Sequence, residues 1–441
     1  MGKNKSKYIL FIVFILFSFF WVRAEEKSAG DNLFISKGTI LTITKGKIEG
    51  GSILIKNGKI FAVGKDLKPP EGIKIIDATG KYVMPGIIDS HSHMAIDRGI
   101  NESTSQVTPQ VNIQDVIKHD DIAIYRALAG GTTCVQPLHG SANVIGGHNA
   151  VIKLKWGKPP EELLVKDSMQ GIKFALGENP KKSNFPMPRG PEFPNTRMGI
   201  EFVIRDSFNH ALEYMKKWDE YQKKKSSLKK GEIPPLPPKR DLKLEALADI
   251  LKRNLGIVCH GYRADELLMM LKTADEYGAK VVSFEHCLEG YKVADEIAKH
   301  GTVASIFADN WAYKIEAFDA IPFNAAILTE RGVAVTVNSD SDERVRRLYQ
   351  DAAKTMKYGG LSEEEALKTI TINPAKMLGI DHRCGSIEVG KDGDLAIFNG
   401  HPLSVYSKVL MTIIEGEVYF DIEKAITAEK ALAMAKEKEK K

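Results

Sequence analysis

The chain has 441 residues, 43% hydrophobic and 27% charged, and this ordinary globular composition excludes collagen-like, coiled-coil and disordered proteins. The formal net charge is +5, and four of the positive charges are Lys3, Lys5, Lys7 and Arg23 near the N-terminus. The rest of the chain is therefore almost neutral, and we expect no binding to nucleic acid. The length predicts about three domains, unless part of the chain forms one large barrel.

Residues 1–24 have the three-part pattern of a secretory signal peptide. A basic start precedes the apolar run 8–22, and Val22 and Ala24 place small residues before the expected cleavage point. The run is shorter than the ~20 residues that cross a bilayer. We therefore expect cleavage after Ala24 and an exported protein, periplasmic or extracellular, with no stable membrane anchor. An uncleaved single-span anchor is the alternative.

Export would permit disulfide bonds among the cysteines of the remaining chain. However, Cys134, Cys259 and Cys287 lie in predicted strands, and Cys384 is the fourth cysteine. This density is far below that of a small disulfide-stapled protein. We therefore expect buried free thiols.

Both ends of the chain contain short runs that alternate apolar and polar residues, and the turns of the first end carry Lys-Gly, Asn-Gly and Thr-Gly. Residues 32–82 form the first of these segments, and residues 384–422 form the second. Neither segment is long enough to bury a core alone. We therefore predict one small β-sandwich domain built from both chain ends, followed by a charged helix over 423–441.

The middle of the chain, residues 83–380, alternates predicted strands with predicted helices. The predicted strands are 83–90, 132–137, 150–155, 171–177, 257–260, 280–286, 303–307 and 333–338, and the predicted helices are 115–129, 243–254, 265–277, 291–300, 324–331 and 343–358. Several strands are almost continuously apolar, which is typical of parallel strands covered on both faces. Eight such units indicate an α/β fold of the (β/α)8 TIM-like barrel type, with a doubly wound sheet as the alternative.

An insertion at about 180–242 interrupts this alternation between the fourth and fifth strands. Proline-rich and lysine-rich stretches flank a helical pattern over 199–222. We interpret the lysine run at 216–230 as a solvated helix face and linker. On a barrel, the insertion would lie at the C-terminal rim, where loops shape substrate choice.

Four histidines and one aspartate occur where predicted strands end. His91 and His93 form a His-x-His pair, and their spacing directs both rings to the same side of a strand. His260, His286 and Asp340 each end a later strand. Because barrel enzymes collect catalytic residues at the C-terminal strand ends, these residues predict a site for divalent metal.

A site with two metals needs a further ligand, and the fourth predicted strand offers two candidates. Lys173 lies within the strand and would act as a bridging carbamate after reaction with carbon dioxide. Glu178 ends the strand and offers a carboxylate without modification. We favour Glu178 for this reason, with Lys173 as the alternative.

The segments PGIIDSHSH, HGYRADE around His260, EHCLEGYKVADE around His286 and NSD ending at Asp340 resemble the amidohydrolase superfamily. NPAKMLGI and GSIEVGKDGDLAIF resemble its end-of-barrel helix and closing β segment, so the resemblance covers about residues 32–422. The chain is most similar to the imidazolonepropionase-like and prolidase-like branch. Many relatives carry the strand lysine in an Ile-Lys-x-x-x-x-Gly-Gly context, whereas this chain has IKFALGEN, which leaves the bridging ligand and the metal count open.

These residues predict hydrolysis of an amide-like C–N bond by one or two divalent ions, with Zn²⁺ preferred for histidine and carboxylate ligands. Asp340 would take a proton from the attacking water and pass it to the leaving nitrogen. A prolidase-like dipeptidase is the first expectation, and a cyclic-amide (imidazolonepropionase-like) hydrolase or an N-acyl deacetylase is the alternative. A periplasmic binding protein that contains metal is the non-enzymatic alternative, which has no need of Asp340.

Three further residues are predicted to contact the substrate. Tyr262, Arg263 and His139 lie near the expected rim, and a guanidinium matches a carboxylate in a two-point fork. The expected partner is a small molecule or a dipeptide. The sequence leaves homo-oligomerisation open.

Overall fold

The computed structural model describes residues 32–97, 99–181 and 193–439. The predicted signal peptide and the residues 182–192 of the insertion lie outside the described residues. Within the described ranges, no helix combines the length and the apolar character that a membrane span requires.

The strands and helices follow the predicted alternation closely. The strands are β1 Leu33–Leu41, β2 Lys47–Lys56, β3 Lys59–Gly64, β4 Lys74–Asp77, β5 Tyr82–Pro85, β6 Ile87–Ser92, β7 Thr132–Pro137, β8 Ile145–His148, β9 Ile152–Lys153, β10 Gly171–Ala175, β11 Gly256–Gly261, β12 Val281–His286, β13 Val303–Ile306, β14 Val335–Val337, β15 Leu395–Phe398, β16 Val409–Ile414 and β17 Glu417–Asp421. The helices are α1 Ile122–Leu128, α2 Pro160–Leu163, α3 Arg197–Ser226, α4 Leu242–Leu251, α5 Ala264–Tyr277, α6 Ala294–His300, α7 Asn324–Glu330, α8 Leu348–Lys357, α9 Glu363–Lys368, α10 Ile372–Met377 and α11 Ile422–Glu439.

Strands from both chain ends pair in one eight-stranded sheet, in the order β17-β16-β15-β5-β1-β2-β3, with β4 beside β1. The link between the two ends is the antiparallel pairing of β5 with β15. Isoleucines and leucines from both segments share one buried cluster beside the sheet. The two ends therefore form one β unit, whereas the second layer of a β-sandwich stays a prediction.

The middle of the chain forms two further sheets. One has the order β14-β13-β12-β11-β10-β8, with parallel pairing from β10 to β14, and the other has the order β6-β7-β9. β6 lies beside β13 and β14, because the Ser90 hydroxyl is 3.1 Å from that of Ser305 and 2.8 Å from that of Thr336. The carboxyl ends of the strands therefore meet at one edge. Closure into an eight-stranded barrel stays a prediction.

The third predicted barrel strand differs from the expectation. Within 150–155 only β9, a two-residue strand, forms, and it runs antiparallel to β7. The strand β8, absent from the prediction, runs antiparallel to β10. β8 occupies the edge of β10 that the third strand was expected to take, and Lys153 of β9 contacts carboxylates near the chain's C-terminal strands.

Lys153 is almost fully buried and its ammonium group lies 2.6 Å from Asp392, 2.9 Å from Asp394 and 2.9 Å from Glu415. These carboxylates raise the pKa of Lys153 well above its ordinary value although burial opposes them. The network fixes the end sheet against β9. The Lys153 ammonium group occupies the centre of this carboxylate cluster, where a bound cation would otherwise lie.

The insertion contains the predicted helix. α3 begins after Thr196, whose hydroxyl accepts the N–H of Gly199, and its buried face includes Ile200, Ile204 and Phe208 at helical spacing. The lysines near its end are exposed, as expected for a solvated face. The four cysteines are buried and free, as predicted.

Candidate metal-dependent active site

His91 lies in β6 and His93 directly follows it, and the Nδ1 atom of each ring forms a hydrogen bond within the protein. The Nδ1 of His91 lies 3.1 Å from a Glu285 carboxylate oxygen, and the Nδ1 of His93 lies 3.0 Å from the carbonyl oxygen of Leu138. Both partners are acceptors, so each Nδ1 carries the proton. The Nε2 atoms then keep a lone pair each, as metal ligands require.

Asp340 joins these two histidines. Its Oδ1 lies 3.2 Å from the Nε2 of His91 and 3.0 Å from the Nε2 of His93. One ligand atom from each of the three residues lies within 4.8 Å of the others. Burial raises the pKa of Asp340, but the surrounding rings of His286, His91 and His93 outweigh burial and hold the pKa well below its ordinary value. Asp340 is therefore ionised.

His260 and His286 complete the group of predicted ligands. The ring centroids of His91 and His286 are 5.0 Å apart, and those of His286 and His260 are 4.7 Å apart. Burial and neighbouring groups hold the pKa of both rings well below the ordinary value, so the rings are neutral. Among the described residues, both nitrogens of His260 and the Nδ1 of His286 are buried without a hydrogen-bond partner.

The strand register explains why these side chains meet. Ala175 pairs with His260, His260 with Glu285, and Glu285 with Ser305, so these residues share one face of the sheet. Lys173 lies two residues before Ala175 and therefore points to the same face. The sequence places charged and metal-ligating side chains on the face that neighbouring strands enclose.

The backbone is strained at two of the site residues. His286 has φ 73° and Asp340 has φ 49°, both in the left-handed region that residues with a Cβ rarely adopt. Such conformations cost ~1–3 kcal/mol each and persist at sites where the surrounding structure imposes them. Here the Asp340 N–H donates to the carbonyl oxygen of His91 at 3.0 Å, which ties the two strand ends together.

Asp89 forms hydrogen bonds beside this backbone link between His91 and Asp340. Its carboxylate accepts hydrogen bonds from the backbone N–H of Ser339 and, at 2.5 Å, from the Ser339 hydroxyl. It also accepts a hydrogen bond from the backbone N–H of His91. Burial raises its pKa to about 7, against the effect of those hydrogen bonds. Asp89 therefore fixes the backbone beside two site residues.

The two candidates for the bridging ligand lie in different surroundings. The Lys173 amine is buried 3.2 Å from the Nε2 of His91. Burial lowers its pKa, with Glu285 and Asp340 opposing the shift. Glu178 instead pairs with Lys181 at 2.8 Å and with Arg197 at 3.0 Å. The geometry argues against our preference for Glu178, because two cations hold its carboxylate whereas Lys173 touches a predicted ligand.

Glu285 is a positioning residue that the sequence prediction missed. It is fully buried, and it also accepts a 2.6 Å hydrogen bond from Ser283. We expect Glu285→Gln to weaken metal binding by ~10–100-fold, because loss of such outer partners costs that much. Metal titration against a chromophoric chelator would measure the change. The matched substitution Glu364→Gln, on a side chain that is 71% exposed, should leave the affinity unchanged.

The Tyr262 ring packs against the rings of His260 and His286. Its ring stacks on His286 with 5.3 Å between centroids, and its hydroxyl lies 2.7 Å from that of Tyr313. The Phe307 ring also stacks on His286, with 4.5 Å between centroids. The ammonium of Lys314 lies 4.1 Å above the Tyr262 ring. The structure therefore places Tyr262 at the site, as a packing partner of the predicted ligands.

The structure argues against the predicted substrate contacts of Arg263 and His139. Arg263 is exposed and paired with Asp265 at 3.0 Å. The two ring nitrogens of His139 bond to the carbonyl oxygen of Gly140 and to the N–H of Glu102, which leaves no nitrogen for a ligand. Arg263 therefore forms an ion pair at the surface, and His139 forms hydrogen bonds with the backbone of nearby loops.

A cavity of about 190 Å³ opens above the site. Its lining combines site residues with small and polar loop residues: His93, Ile100, Asn101, Gly140, Ser141, Ala142, Asn179, His260, His286 and Asp340. The sequence prediction missed Asn101 and Asn179. Asn179 directly follows the candidate Glu178, so its place at a strand end was the available signal, whereas nothing in the sequence marks Asn101.

The donor set fits a divalent metal. Neutral imidazole nitrogens and a carboxylate are the ligands that Zn²⁺ prefers. The unpartnered nitrogens of His260 and His286 would each cost ~1–3 kcal/mol if nothing bound them. A metal bound by the four histidines and Asp340 would remove the part of that cost that belongs to the nitrogen each ring gives to the metal.

The chain is similar to known proteins over most of its length. The model of the Amidohydrolase family matches residues 82–422. A crystal structure of an amidohydrolase from Thermotoga maritima MSB8 has a TM-score of 0.79 at 35% identity, over 88% of this chain and 100% of that chain.

Two curated relatives extend the comparison. Amidohydrolase tasK of Hapsidospora irregularis is 28% identical over 396 residues, which are 84% of this chain but only 40% of that protein. Imidazolonepropionase of Thermoplasma volcanium is 22% identical over 376 residues, 80% of this chain and 84% of that protein. The family match, which covers most of the chain, confirms the resemblance found in the sequence. This chain belongs to the amidohydrolase family.

Proposed function

We propose that this chain is an exported, metal-dependent hydrolase of an amide-like C–N bond. The observation that carries this proposal is the set of buried, unpartnered nitrogens of His260 and His286, which line the same cavity as His93 and Asp340. Asp340 lies beside His91 and His93, where its carboxylate would serve proton transfer as well as metal binding. The family membership supports hydrolysis but not a particular substrate.

His91, His93, His260, His286 and Asp340 are the residues that would hold one or two ions, with Zn²⁺ first among the candidates. When bound, the metal supplies an acidified water and polarises the scissile carbonyl group. Asp340 accepts a proton from the attacking water and donates it to the leaving nitrogen. The Tyr262 and Phe307 rings stack against His286, which is buried.

We assign the bridging position to Lys173 rather than Glu178. The uncharged amine of Lys173 would react with carbon dioxide to form a carbamate, releasing one proton. The lowered pKa of this buried lysine favours the uncharged amine that the reaction requires. The product is an anion beside His91. Its negative charge would offset the repulsion between two metal ions held at this site.

Dipeptides are the first substrate class for this site. A Xaa-Pro dipeptidase with bound methionine shares the fold, with a TM-score of 0.53 at 16% identity, and this likeness concerns the fold alone. The imidazolonepropionase relative favours a cyclic amide as the second class. N-acyl amino acids are the third.

The test is an assay of all three classes with protein depleted of metal and then reloaded with Zn²⁺. We expect release of an amine or amino acid from at least one class, only after reloading. Turnover that persists in the depleted protein would contradict metal dependence. Failure of every class in the reloaded protein would contradict the proposed hydrolysis.

Export rests on the sequence of residues 1–24 alone. We expect protein from cells that express the full chain to begin at Glu25, because small residues precede this position after a short apolar run. N-terminal sequencing of the secreted or periplasmic fraction measures this directly. A chain that keeps Met1 and sediments with membranes would instead identify an uncleaved anchor.

A further inference from the structure

The cavity above the site is lined by two asparagines, Asn101 and Asn179, that the proposed chemistry does not use. They come from different loops, one after β6 and the other after β10. They share this cavity with Asp340 and the histidines. A ligand held by the two amides would therefore lie next to the reacting groups.

The orientation of both amides is fixed by groups that can only donate. The ammonium of Lys314 lies 3.0 Å from the Asn179 side chain, and the N–H of Ala142 lies 3.0 Å from that of Asn101. The atom contacted must be the acceptor Oδ1 in each case. In the described parts of the chain, neither Nδ2 donates to a protein acceptor, so both NH₂ groups are available to a ligand.

The surroundings hold these orientations in place. A Cβ at Gly140 would come 2.3 Å from Asn101 Oδ1, so this glycine is what allows the loop to approach. On the other side, Lys314 is held over the Tyr262 ring at 4.1 Å and beside Glu316 at 3.3 Å. Lys314 thus orients Asn179 and brings a positive charge close to the cavity without lining it.

We propose that Asn101 and Asn179 form a subsite for a carboxylate of the substrate. Two NH₂ groups donate to acceptor oxygens, and the Lys314 ammonium on Asn179 Oδ1 polarises that amide, which strengthens donation from its Nδ2 to a carboxylate. The substrate class is then an N-acyl amino acid or a dipeptide whose free carboxylate lies near the scissile bond. This inference rests on the proposed function for the identity of the reaction, but it concerns binding.

The test measures binding without turnover. Full-length protein carrying Asp340→Asn and loaded with Zn²⁺ is titrated by calorimetry with N-acetylglycine and with N-acetylglycinamide. We expect the acid to bind at least ~10-fold more tightly than the amide. Asn179→Ala should remove most of this preference, with unchanged metal content, which separates the asparagine from direct binding of the acid to metal.

Matched variants define the roles of the neighbours. Asn254→Ala changes an exposed asparagine bonded to Asp249 and should keep the preference. Lys314→Met should reduce the preference, and Lys314→Arg should keep it, if Lys314 positions Asn179. Equal binding of acid and amide, no binding of either, or an Asn179→Ala effect on both alike would overturn the subsite. Acid preference in a protein that hydrolyses nothing would contradict the proposed function and leave the subsite standing.

Discussion

Asp340→Asn should lower kcat by at least ~10²-fold while the protein still binds metal, because the amide cannot accept the proton of the attacking water. The carboxylate oxygen lies within 3.2 Å of two predicted ligands, and the amide oxygen of asparagine keeps a donor atom at that position. Steady-state rates on the best substrate, together with metal analysis of the same sample, measure both quantities.

The matched control is Asp342→Asn, which makes the same chemical change on an exposed side chain two residues later. We expect its turnover to remain close to that of the unchanged protein. Near-normal kcat in the Asp340 variant would remove this residue from proton transfer. Loss of metal together with activity would show instead that Asp340 acts chiefly as a ligand.

Lys173→Met should lower both the metal content and kcat, with a loss larger than the ~10–100-fold that removal of an outer-shell partner costs. The reason is that its amine, 3.2 Å from His91, is the proposed origin of the bridging carbamate. Methionine has a similar shape, so the substitution leaves little cavity. Elemental analysis and steady-state kinetics measure the two effects, and circular dichroism verifies the fold.

Glu178→Gln distinguishes the two candidates for the bridge. The Glu178 carboxylate pairs with Lys181 and Arg197, so we expect nearly unchanged metal content in this variant. The reverse pattern, with metal retained in the Lys173 variant and lost in the Glu178 variant, would restore the original preference for Glu178.

The sequence was sufficient to predict the strands that carry the site, because the site residues lie at the ends of apolar runs. His91, His260, His286 and Asp340 each follow an apolar run, and such runs form strands wherever both faces are buried. The structure brings these residues together through strand register. A single sequence predicts which residues face inward, but it does not predict which side chains then meet.

The misses have the same origin. Position along the strand favoured Glu178 over Lys173, but the salt bridges that hold Glu178 involve Arg197, from a separate insertion. Asn101 contributes to the cavity only because a loop folds over it. β8 rather than β9 pairs with β10, and Lys153 of β9 contacts Asp392, 239 residues later in the chain. Contacts between distant segments decide these three cases, and local patterns carry no information about them.

The most direct test of the account is the metal-to-protein ratio of a chain that starts at Glu25 and has been reconstituted with Zn²⁺ in the presence of bicarbonate. Elemental analysis after removal of unbound metal should give about two ions per chain, in agreement with a bridging carbamate at Lys173. One ion would contradict the bridge and move cyclic amides to the front of the substrate classes. A chain that binds no metal would contradict the catalytic account itself.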